Sequence, residues 1–272
     1  MLADAAIGEE GIPVYGLGID IGSTATKVAI VDETGALVGS AIHGLGAGTS
    51  GADKALAEAF EATGLSWDAI DFSVATGYGR QRFERADKQL SELSCHARGM
   101  NQLLPGIRTI IDIGGQDAKA LRLTPAGVLD NFVMNEKCAA GTGRFLDVMA
   151  RVLESDISQL GKLDAQSTEV VEISSTCTVF AESEVISHLA AGLQIPDIVA
   201  GIHDSVAKRA AGLVRRLGPV EQPVAMSGGV ARNSGVVRAL EAELGVSIAV
   251  PENCQLCGAL GAALYALDRV KR

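Results

Sequence analysis

A short sequence occurs twice in the same setting, and this repeat constrains the fold more than any other feature. The residues I-D-I-G recur at a spacing of 92 residues, and aligning the copies places Asp20 on Asp112 and Lys27 on Lys119. Each copy ends an apolar run, enters a Gly-containing polar turn and continues into a second apolar run. The spacing is too long for a solenoid unit. The pattern therefore predicts a duplicated domain, with one strand–turn–strand hairpin in each copy.

Both hairpin turns carry residue types that bind phosphate. Glycines let backbone N–H groups approach an anion closely, and the first turn adds the hydroxyls of Ser23, Thr24 and Thr26 and the charge of Lys27. An aspartate at each strand end can hold Mg²⁺ through water or orient an attacking water. The first turn matches neither G-x-G-x-x-G nor a Walker A sequence. Two structural hairpins are the alternative, but the aligned Asp and Lys favour a clamp on a polyphosphate.

A third Gly pair, M-S-G-G-V-A-R-N, follows a predicted strand and precedes a predicted helix. It could bring backbone close to a nucleobase and ribose, with Asn233 as a polar contact, although an ordinary β–α turn explains it equally well.

Apolar spacing predicts helices at 53–63, 90–103, 142–153, 178–191, 197–217, 234–244 and 258–269.

Two of the five cysteines come shortly before predicted helices. Cys138 precedes the helix at 142–153, next to Lys137, and Cys177 precedes the helix at 178–191. The dipole and free N–H groups of a helix N-terminus stabilise a thiolate, so both are candidate metal ligands. A cubane iron–sulfur cluster or a Cys₄ zinc site needs four cysteines, and a symmetric dimer would supply them at its two-fold axis. Burial as small apolar residues is the alternative that the spacing leaves open.

The other cysteines and the histidines show weaker patterns. Cys254-x-x-Cys257 could bind metal or act in redox chemistry, but it has no second pair nearby, and packing of its loop is favoured. Cys95 is predicted to lie in a helix in the core. Four histidines form no ligand spacing and are predicted to be surface or hydrogen-bonded polar residues: His43, His96, His188 and His203.

Charge and composition exclude several classes of partner. The formal charge of −10 disfavours nucleic acid or an anionic membrane as the main partner, because both select a basic surface. An odd number of cysteines in a chain of 272 residues is not a disulfide framework. Residues 1–13 contain no basic residue of the kind that begins a signal peptide, and the longest apolar run, 259–267, is too short to span a bilayer. We expect a cytoplasmic protein with reduced thiols.

These motifs together resemble a known family. The two hairpins and the late Gly pair are similar to the phosphate-1, phosphate-2 and adenosine motifs of the superfamily of acetate and sugar kinases, heat-shock chaperones and actin. K-C-A-A-G-T-G-R-F-L-D-V-M-A and S-S-T-C-T-V-F-A-E-S-E-V-I-S resemble the ATPase activators of 2-hydroxyacyl-CoA dehydratases. That family also holds the ATPase subunits of benzoyl-CoA reductase. The supporting stretches are A-T-G-Y-G-R, D-K-Q-L-S-E-L-S-C-H-A and I-D-I-G-G-Q-D, and the resemblance spans 15–267.

The resemblance implies an α/β fold of two duplicated ribonuclease H-like (actin-like ATPase) domains with a nucleotide cleft between them. The predicted parts are an N-terminal tail at 1–13, a first domain at 14–106 and a second domain at 107–257, which carries the cysteine motifs. The C-terminal helix, 258–272, is expected to pack back on the first domain.

The resemblance also implies a site for ATP or ADP with Mg²⁺. It gives catalytic roles to Asp20, Asp112 and Gln116. It assigns nucleotide contacts to Ser23, Thr24, Ala25, Thr26, Lys27, Gly114, Gly115, Gln116, Asp117, Gly228, Gly229 and Asn233. The stretch N-C-Q-L-C-G departs from the family pattern, which leaves the adenine-side contacts open.

For the cysteines, the resemblance implies one [4Fe–4S] cluster per homodimer, held by Cys138 and Cys177 of both protomers. ATP would drive opening of the helices that flank the cluster. A ferredoxin or flavodoxin would supply one electron, which passes to a 2-hydroxyacyl-CoA dehydratase. Three alternatives remain: an ATPase subunit of a benzoyl-CoA reductase, a small-molecule kinase of the same superfamily without iron, and a nucleotide-dependent actin-like scaffold.

Overall fold

The computed structural model describes residues 13–174 and 177–271, which form two five-stranded mixed sheets. The predicted tail at 1–13 lies outside the described residues except for Pro13. The first sheet has the spatial order β3-β2-β1-β4-β5. Its strands are β1 (Gly16–Ile21), β2 (Thr26–Val31), β3 (Leu37–His43), β4 (Phe72–Thr76) and β5 (Lys88–Gln89).

The second sheet repeats the topology of the first, in the order β8-β7-β6-β9-β10. Its strands are β6 (Thr109–Ile113), β7 (Ala118–Leu123), β8 (Leu129–Asn135), β9 (Val224–Ser227) and β10 (Ile248–Ala249). In each sheet the first three strands form an antiparallel meander, and the fourth strand pairs in parallel with the first. The duplication predicted from the I-D-I-G repeat is therefore present strand by strand.

Eight α-helices cover these sheets within the described residues. They are α1 (Gly51–Thr63), α2 (Glu92–Leu103), α3 (Gly143–Val152), α4 (Leu160–Asp164), α5 (Thr178–Ala190), α6 (Ile195–Leu217), α7 (Ser234–Leu244) and α8 (Cys257–Val270). The seven helices predicted from spacing are all present, with ends moved by up to two residues. The five-residue α4 was not predicted, because one turn and a half is too short to show a helical period.

The central strands are apolar on both faces because helices cover both sides of each sheet. On β2, Val28 and Ile30 pack toward α1, whereas Ala29 and Val31 pack toward α8. The second sheet is covered on one face by α3, α6 and α7 and on the other by α2. Strands buried on both sides read as continuous apolar runs, and such runs on either side of a Gly turn marked the hairpins in the sequence.

Helices α2 and α8 lie against each other between the two sheets. Their backbones approach so closely that a Cβ on Gly261 of α8 would lie 1.8 Å from the carbonyl oxygen of Cys95 on α2. Helix α8 also packs on the first sheet, and its small residues allow its close contact with α2.

The domain bounds 14–106 and 107–257 stay a prediction. No helix among 13–174 and 177–271 combines the length and the apolar character needed to cross a membrane.

Candidate functional site

The first hairpin holds a buried ion pair at the end of β1. Asp20 and Lys27 face each other across β1 and β2, and Lys27 Nζ lies 3.4 Å from Asp20 Oδ2. Asp20 is buried. Burial alone would lower the pKa of Lys27, but the carboxylates of Asp20 and Asp112 outweigh it and raise that pKa. The lysine is therefore held as a cation beside the turn.

The predicted phosphate-binding residues of the turn at 22–25 differ in their exposure to solvent. Thr24 is exposed at the tip, and Ser23 and Ala25 are half-buried. Thr26 is fully buried, and its hydroxyl donates to the carbonyl oxygen of Leu45 at 2.9 Å. This bond uses the only proton of the hydroxyl, and the nucleotide contact at position 26 stays a prediction.

The second hairpin holds its aspartate more tightly than the first. Asp112 Oδ1 accepts a hydrogen bond from Ser227 Oγ at 2.7 Å, and Lys119 Nζ lies 3.3 Å from Asp112 Oδ2. Lys119 also contacts Glu92 Oε1 at 2.8 Å and the Asp117 carboxylate. The carboxylates of Glu92, Asp112 and Asp117 lie close enough together to hold a metal ion. Lys119, which is almost fully buried, pairs with all three and is the cation of this cluster.

The two turns meet at their tips. A Cβ on Gly115 would lie 2.2 Å from Thr24 Oγ1, so the tip of the first turn contacts the backbone of the second. The second turn is closed by a backbone hydrogen bond from Gly114 N to Asp117 O at 2.9 Å, and Gln116 is exposed beside it. The fold thus brings together the two polar turns that the sequence separates by 92 residues.

The third Gly pair lies next to the end of β6. Gly228 has a φ of +85°, and a Cβ there would lie 2.3 Å from the carbonyl oxygen of Ile113. Its N–H donates to the carbonyl oxygen of Cys254 at 3.0 Å. A Cβ on Gly229 would meet Gln255 Nε2 at 3.5 Å. The turn is therefore packed between β6 and the N-C-Q-L-C loop, beside the second hairpin.

Asn233 caps a helix. Its Oδ1 accepts hydrogen bonds from the N–H groups of Gly235 and Val236, at the start of α7, and its Nδ2 lies 3.0 Å from His203 Nε2. Both polar atoms of the amide are thus used within the protein. The contact with a nucleoside stays a prediction.

A buried histidine that the sequence did not single out contacts the second aspartate. His96, on α2, places Nε2 3.5 Å from Asp112 Oδ1. Burial alone would lower the pKa of His96, but the Asp112 carboxylate outweighs it, and the pKa is raised to about 9. His96 lies one helical turn after Glu92, and this spacing is the one sequence signal that could have linked both residues to a common site.

The two predicted metal ligands lie at the surface. Cys138 and Cys177 are exposed. Cys177 is the N-cap of α5, as its position predicts, whereas Cys138 lies four residues before the N-cap of α3, Thr142. The stabilisation by a helix dipole falls off within one turn. Cys138 therefore lies shortly before its helix, as predicted, but the argument from the dipole applies only to Cys177.

Arg209 of α6 lies close to both exposed thiols. Burial lowers its pKa, while negative charge on Cys138 or Cys177 would raise it. Its guanidinium also lies 5.8 Å from the centre of the Phe145 ring. Arg209 and Cys138 line one pocket of about 240 Å³, together with Arg216. A positive charge thus accompanies the two cysteines.

The second turn is hydrogen-bonded to the start of α3. The N–H of Gly143 donates to the carbonyl oxygen of Gly114 at 2.9 Å, and the N–H of Arg144 donates to that of Gly115 at 2.8 Å. These are two of the N–H groups that a helix leaves without an internal partner. The helix that follows the Cys138 loop therefore begins on the predicted phosphate turn.

Thr142 strengthens this joint with its side chain. It is fully buried, and its Oγ1 lies 3.2 Å from the carbonyl oxygen of Gly115 and 2.6 Å from that of Ala139. Ala139 is the residue after Cys138. One hydroxyl thus contacts both the second turn and the cysteine loop.

The three other cysteines are buried, as predicted for Cys95 and as the packing interpretation required for Cys254 and Cys257. Burial raises the pKa of Cys95 to about 12 and raises those of Cys254 and Cys257. The Cys257 thiol donates to the carbonyl oxygen of Cys254 at 3.3 Å. These thiols are protonated core groups.

Comparison with known proteins decides the family. The model of the BadF/BadG/BcrA/BcrD ATPase family matches residues 17–266. The chain belongs to the BadF/BadG/BcrA/BcrD ATPase family. Within it, the 2-hydroxyisocaproyl-CoA dehydratase activator of Clostridioides difficile is 57% identical over 258 residues, which is 95% of this chain and 97% of that one. A solved structure of the activator of 2-hydroxyisocaproyl-CoA dehydratase from Clostridium difficile, with bound ADPNP, has a TM-score of 0.92 at 57% identity and covers 95% and 96% of the two chains.

More distant similarities extend the comparison. One of the subunits of the benzoyl-CoA reductase of Thauera aromatica is 32% identical over 223 residues, covering 80% of this chain and 79% of that one. A ROK family glucokinase from Streptomyces griseus has a TM-score of 0.58 at 13% identity, covering 93% and 99%, which shows the fold alone. The predicted α/β fold of actin-like ATPases is confirmed, and so is the family that the cysteine motifs indicated.

Proposed function

We propose that this chain is an ATP-hydrolysing iron–sulfur activator that passes a single low-potential electron to a 2-hydroxyacyl-CoA dehydratase. The observation that carries the proposal is the joint at the start of α3, where the second turn and the Cys138 loop share hydrogen bonds. A change in the phosphate turn would therefore act on the cysteine loop. The 57% identical relative named as a dehydratase activator supports the same role.

For the nucleotide, we propose that the two turns grip the phosphates of ATP. Asp20 has the chemistry for the Mg²⁺ side: its Oδ1 is buried and has no hydrogen-bond partner among the described residues, and Mg²⁺ prefers carboxylate and water oxygens. Asp112, held by Ser227 and Lys119, and the exposed Gln116 would orient the attacking water. The remaining turn residues and the Gly228–Gly229 pair complete the proposed contacts.

For the cluster, the two exposed cysteines fit ligands shared between two copies. One chain offers two accessible thiols among the described residues, and a [4Fe–4S] cluster needs four. Exposed apolar side chains follow Cys177 on α5, namely Val179, Phe180 and Ile186, and a surface of this kind favours contact with another chain. When bound, the cluster would supply one-electron transfer. We therefore propose a homodimer that shares the cluster. A ferredoxin or flavodoxin would donate the electron to it, in a reducing, cytoplasmic setting.

The test is anaerobic purification followed by iron quantitation and ATPase assays. We expect about four iron atoms per two chains, a dimer in solution and ATP-dependent activation of a dehydratase. Cys138→Ala and Cys177→Ala should each lose the iron and retain ATP binding, whereas Cys254→Ala, a buried control, should retain both. Iron-free, colourless protein after anaerobic reconstitution would refute the proposal.

The second candidate is an ATPase subunit of a benzoyl-CoA reductase, favoured by the 32% identity to the Thauera aromatica protein. It predicts that the chain copurifies with separate catalytic subunits in a hetero-oligomer. Size-exclusion chromatography of protein isolated under anaerobic conditions distinguishes this from a homodimer that meets its dehydratase only transiently.

A further inference from the structure

We propose that His96 is a positioning residue for ATP hydrolysis, which fixes the Asp112 carboxylate from α2. The inference rests on the ATPase activity of the family and not on the cluster. The imidazole lies beside the Asp112 carboxylate of the second hairpin, and the nucleotide and cluster roles leave it without a function.

Both ring nitrogens of His96 face acceptors. Nδ1 lies 3.3 Å from the carbonyl oxygen of Glu92, one turn earlier on α2, and Nε2 lies 3.5 Å from Asp112 Oδ1. A neutral imidazole has one N–H, so it could donate to only one of them, whereas a protonated ring donates to both. The residue His96 is 7% exposed and Asp112 is 2% exposed. Few waters can therefore replace this interaction.

Helix α2 contacts both members of the cross-strand pair in the second hairpin. His96 faces Asp112, and Glu92, on the same face of the helix, contacts Lys119 at 2.8 Å. Helix α2 also makes a close backbone contact with α8, at Gly261. The Asp112 carboxylate is thus contacted by α2 in addition to Ser227 and Lys119 of its own sheet.

The first aspartate also lies near the ring. A Cβ on Gly258 would lie 2.9 Å from Asp20 Oδ2 and 3.0 Å from His96 Cε1, so the ring and the first carboxylate approach the same point. Two buried carboxylates that face a common site repel each other. A contact that holds Asp112 in one orientation therefore matters here, and the ring makes it without occupying Asp20 Oδ1, which stays unpartnered among the described residues.

The test compares three substitutions at this position. The side-chain nitrogen of glutamine reaches about as far as Nε2, that of asparagine reaches only as far as Nδ1, and leucine has neither. We expect His96→Gln to keep kcat for ATP hydrolysis within about threefold, and His96→Asn and His96→Leu to lower it about tenfold or more. KM for ATP should change less than about twofold, because the ring acts through Asp112. His43→Asn, which removes a surface histidine paired with Glu58, is the control and should leave kcat unchanged.

The kinetic results separate a positioning role of His96 from a role in ATP binding. Equal losses in His96→Gln and His96→Asn would overturn the proposal, and so would a rise in KM at constant kcat, which would assign the residue to binding. If His96→Leu does not fold, the comparison of glutamine with asparagine still answers the question. Wild-type protein without ATPase activity would refute the proposed function itself, and wild-type protein with ATPase activity but without iron would leave the role of His96 testable.

Discussion

Lys27 Nζ lies 3.4 Å from Asp20 Oδ2, and the second carboxylate oxygen of this aspartate, Oδ1, accepts no hydrogen bond among the described residues. The equivalent Asp112 is contacted on both oxygens, by Ser227 and by Lys119. Two residues related by an internal repeat therefore differ in chemistry. The first has an oxygen available for a metal-bound water, and the second is held in one orientation.

This asymmetry predicts different behaviour for Asp20→Asn and Asp112→Asn. We expect both to lower kcat for ATP hydrolysis about 100-fold, but only Asp20→Asn should raise the Mg²⁺ concentration needed for half-maximal activity. ATPase assays across a Mg²⁺ series measure this. Asp32→Asn, at the far end of the first hairpin, where Asp32 bonds Thr34, is the matched control and should behave as wild type. Identical Mg²⁺ dependence in both variants would contradict the assignment.

The joint at α3 predicts that Thr142→Val separates hydrolysis from its effect on the cysteine loop. Valine keeps the shape and removes the hydroxyl that contacts both Gly115 and Ala139, at a cost of about 1 kcal/mol in stability. ATPase activity should stay within about threefold of wild type. In the wild type, we expect ATP to change the rate at which a chelator removes the iron. Thr142→Val should lose this effect of ATP. Thr63→Val, which removes a comparable hydroxyl-to-backbone bond in α1, should retain that change.

The sequence predicts the repeated parts of this fold and site well, because the information is local. To predict each hairpin, it is enough to find two apolar runs joined by a Gly turn. The cross-strand pairs are Asp20–Lys27 and Asp112–Lys119. The role of His96 escaped prediction, because its contact with Asp112 depends on how α2 packs between two sheets. Spacing within one helix does not show which distant strand end a side chain meets.

The polar residues next to turns were the other weak point. Asn233 follows a Gly pair, as a nucleoside contact would, and the same residue type is a strong N-cap. The structure shows the N-cap, and the nucleoside contact stays a prediction. Cys138 precedes a helix in the sequence, yet its loop makes another turn before α3 begins. At both positions the local sequence leaves the residue's surroundings open, because these depend on how the loop folds before the helix begins.

Arg209 predicts a shift in the potential of the proposed cluster. Positive charge near an iron–sulfur cluster favours its reduced state, and Arg209 lies near both cysteines. We expect Arg209→Gln to make the midpoint potential more negative by up to about 60 mV, equivalent to a tenfold change for one electron, with unchanged iron content. Arg209→Lys should shift it less. Arg216→Gln, on the same pocket, is the control, and an equal shift there would indicate a general charge effect. EPR-monitored redox titration gives these values.

The raised pKa of His96 predicts how stability depends on pH. The folded-state pKa of about 9 lies above the usual value of 6.5, mainly because Asp112 outweighs the effect of burial. The folded protein therefore keeps a proton that the unfolded chain releases, and the stabilisation is complete below pH 6.5 and lost as pH rises through 9. Glu92, which favours the charged ring, and Lys119, which opposes it, also face this site.

We therefore expect the free energy of unfolding to fall between pH 6.5 and 9 by up to about 1.4 kcal/mol per pH unit from this one proton. His96→Gln removes the titrating ring and keeps an N–H, so the difference in stability between wild type and this variant should shrink over the same interval. Urea denaturation at a series of pH values measures the difference, with His43→Asn as the matched variant. A difference that stays constant from pH 6.5 to 9 would show that the buried ring does not hold its extra proton over this interval.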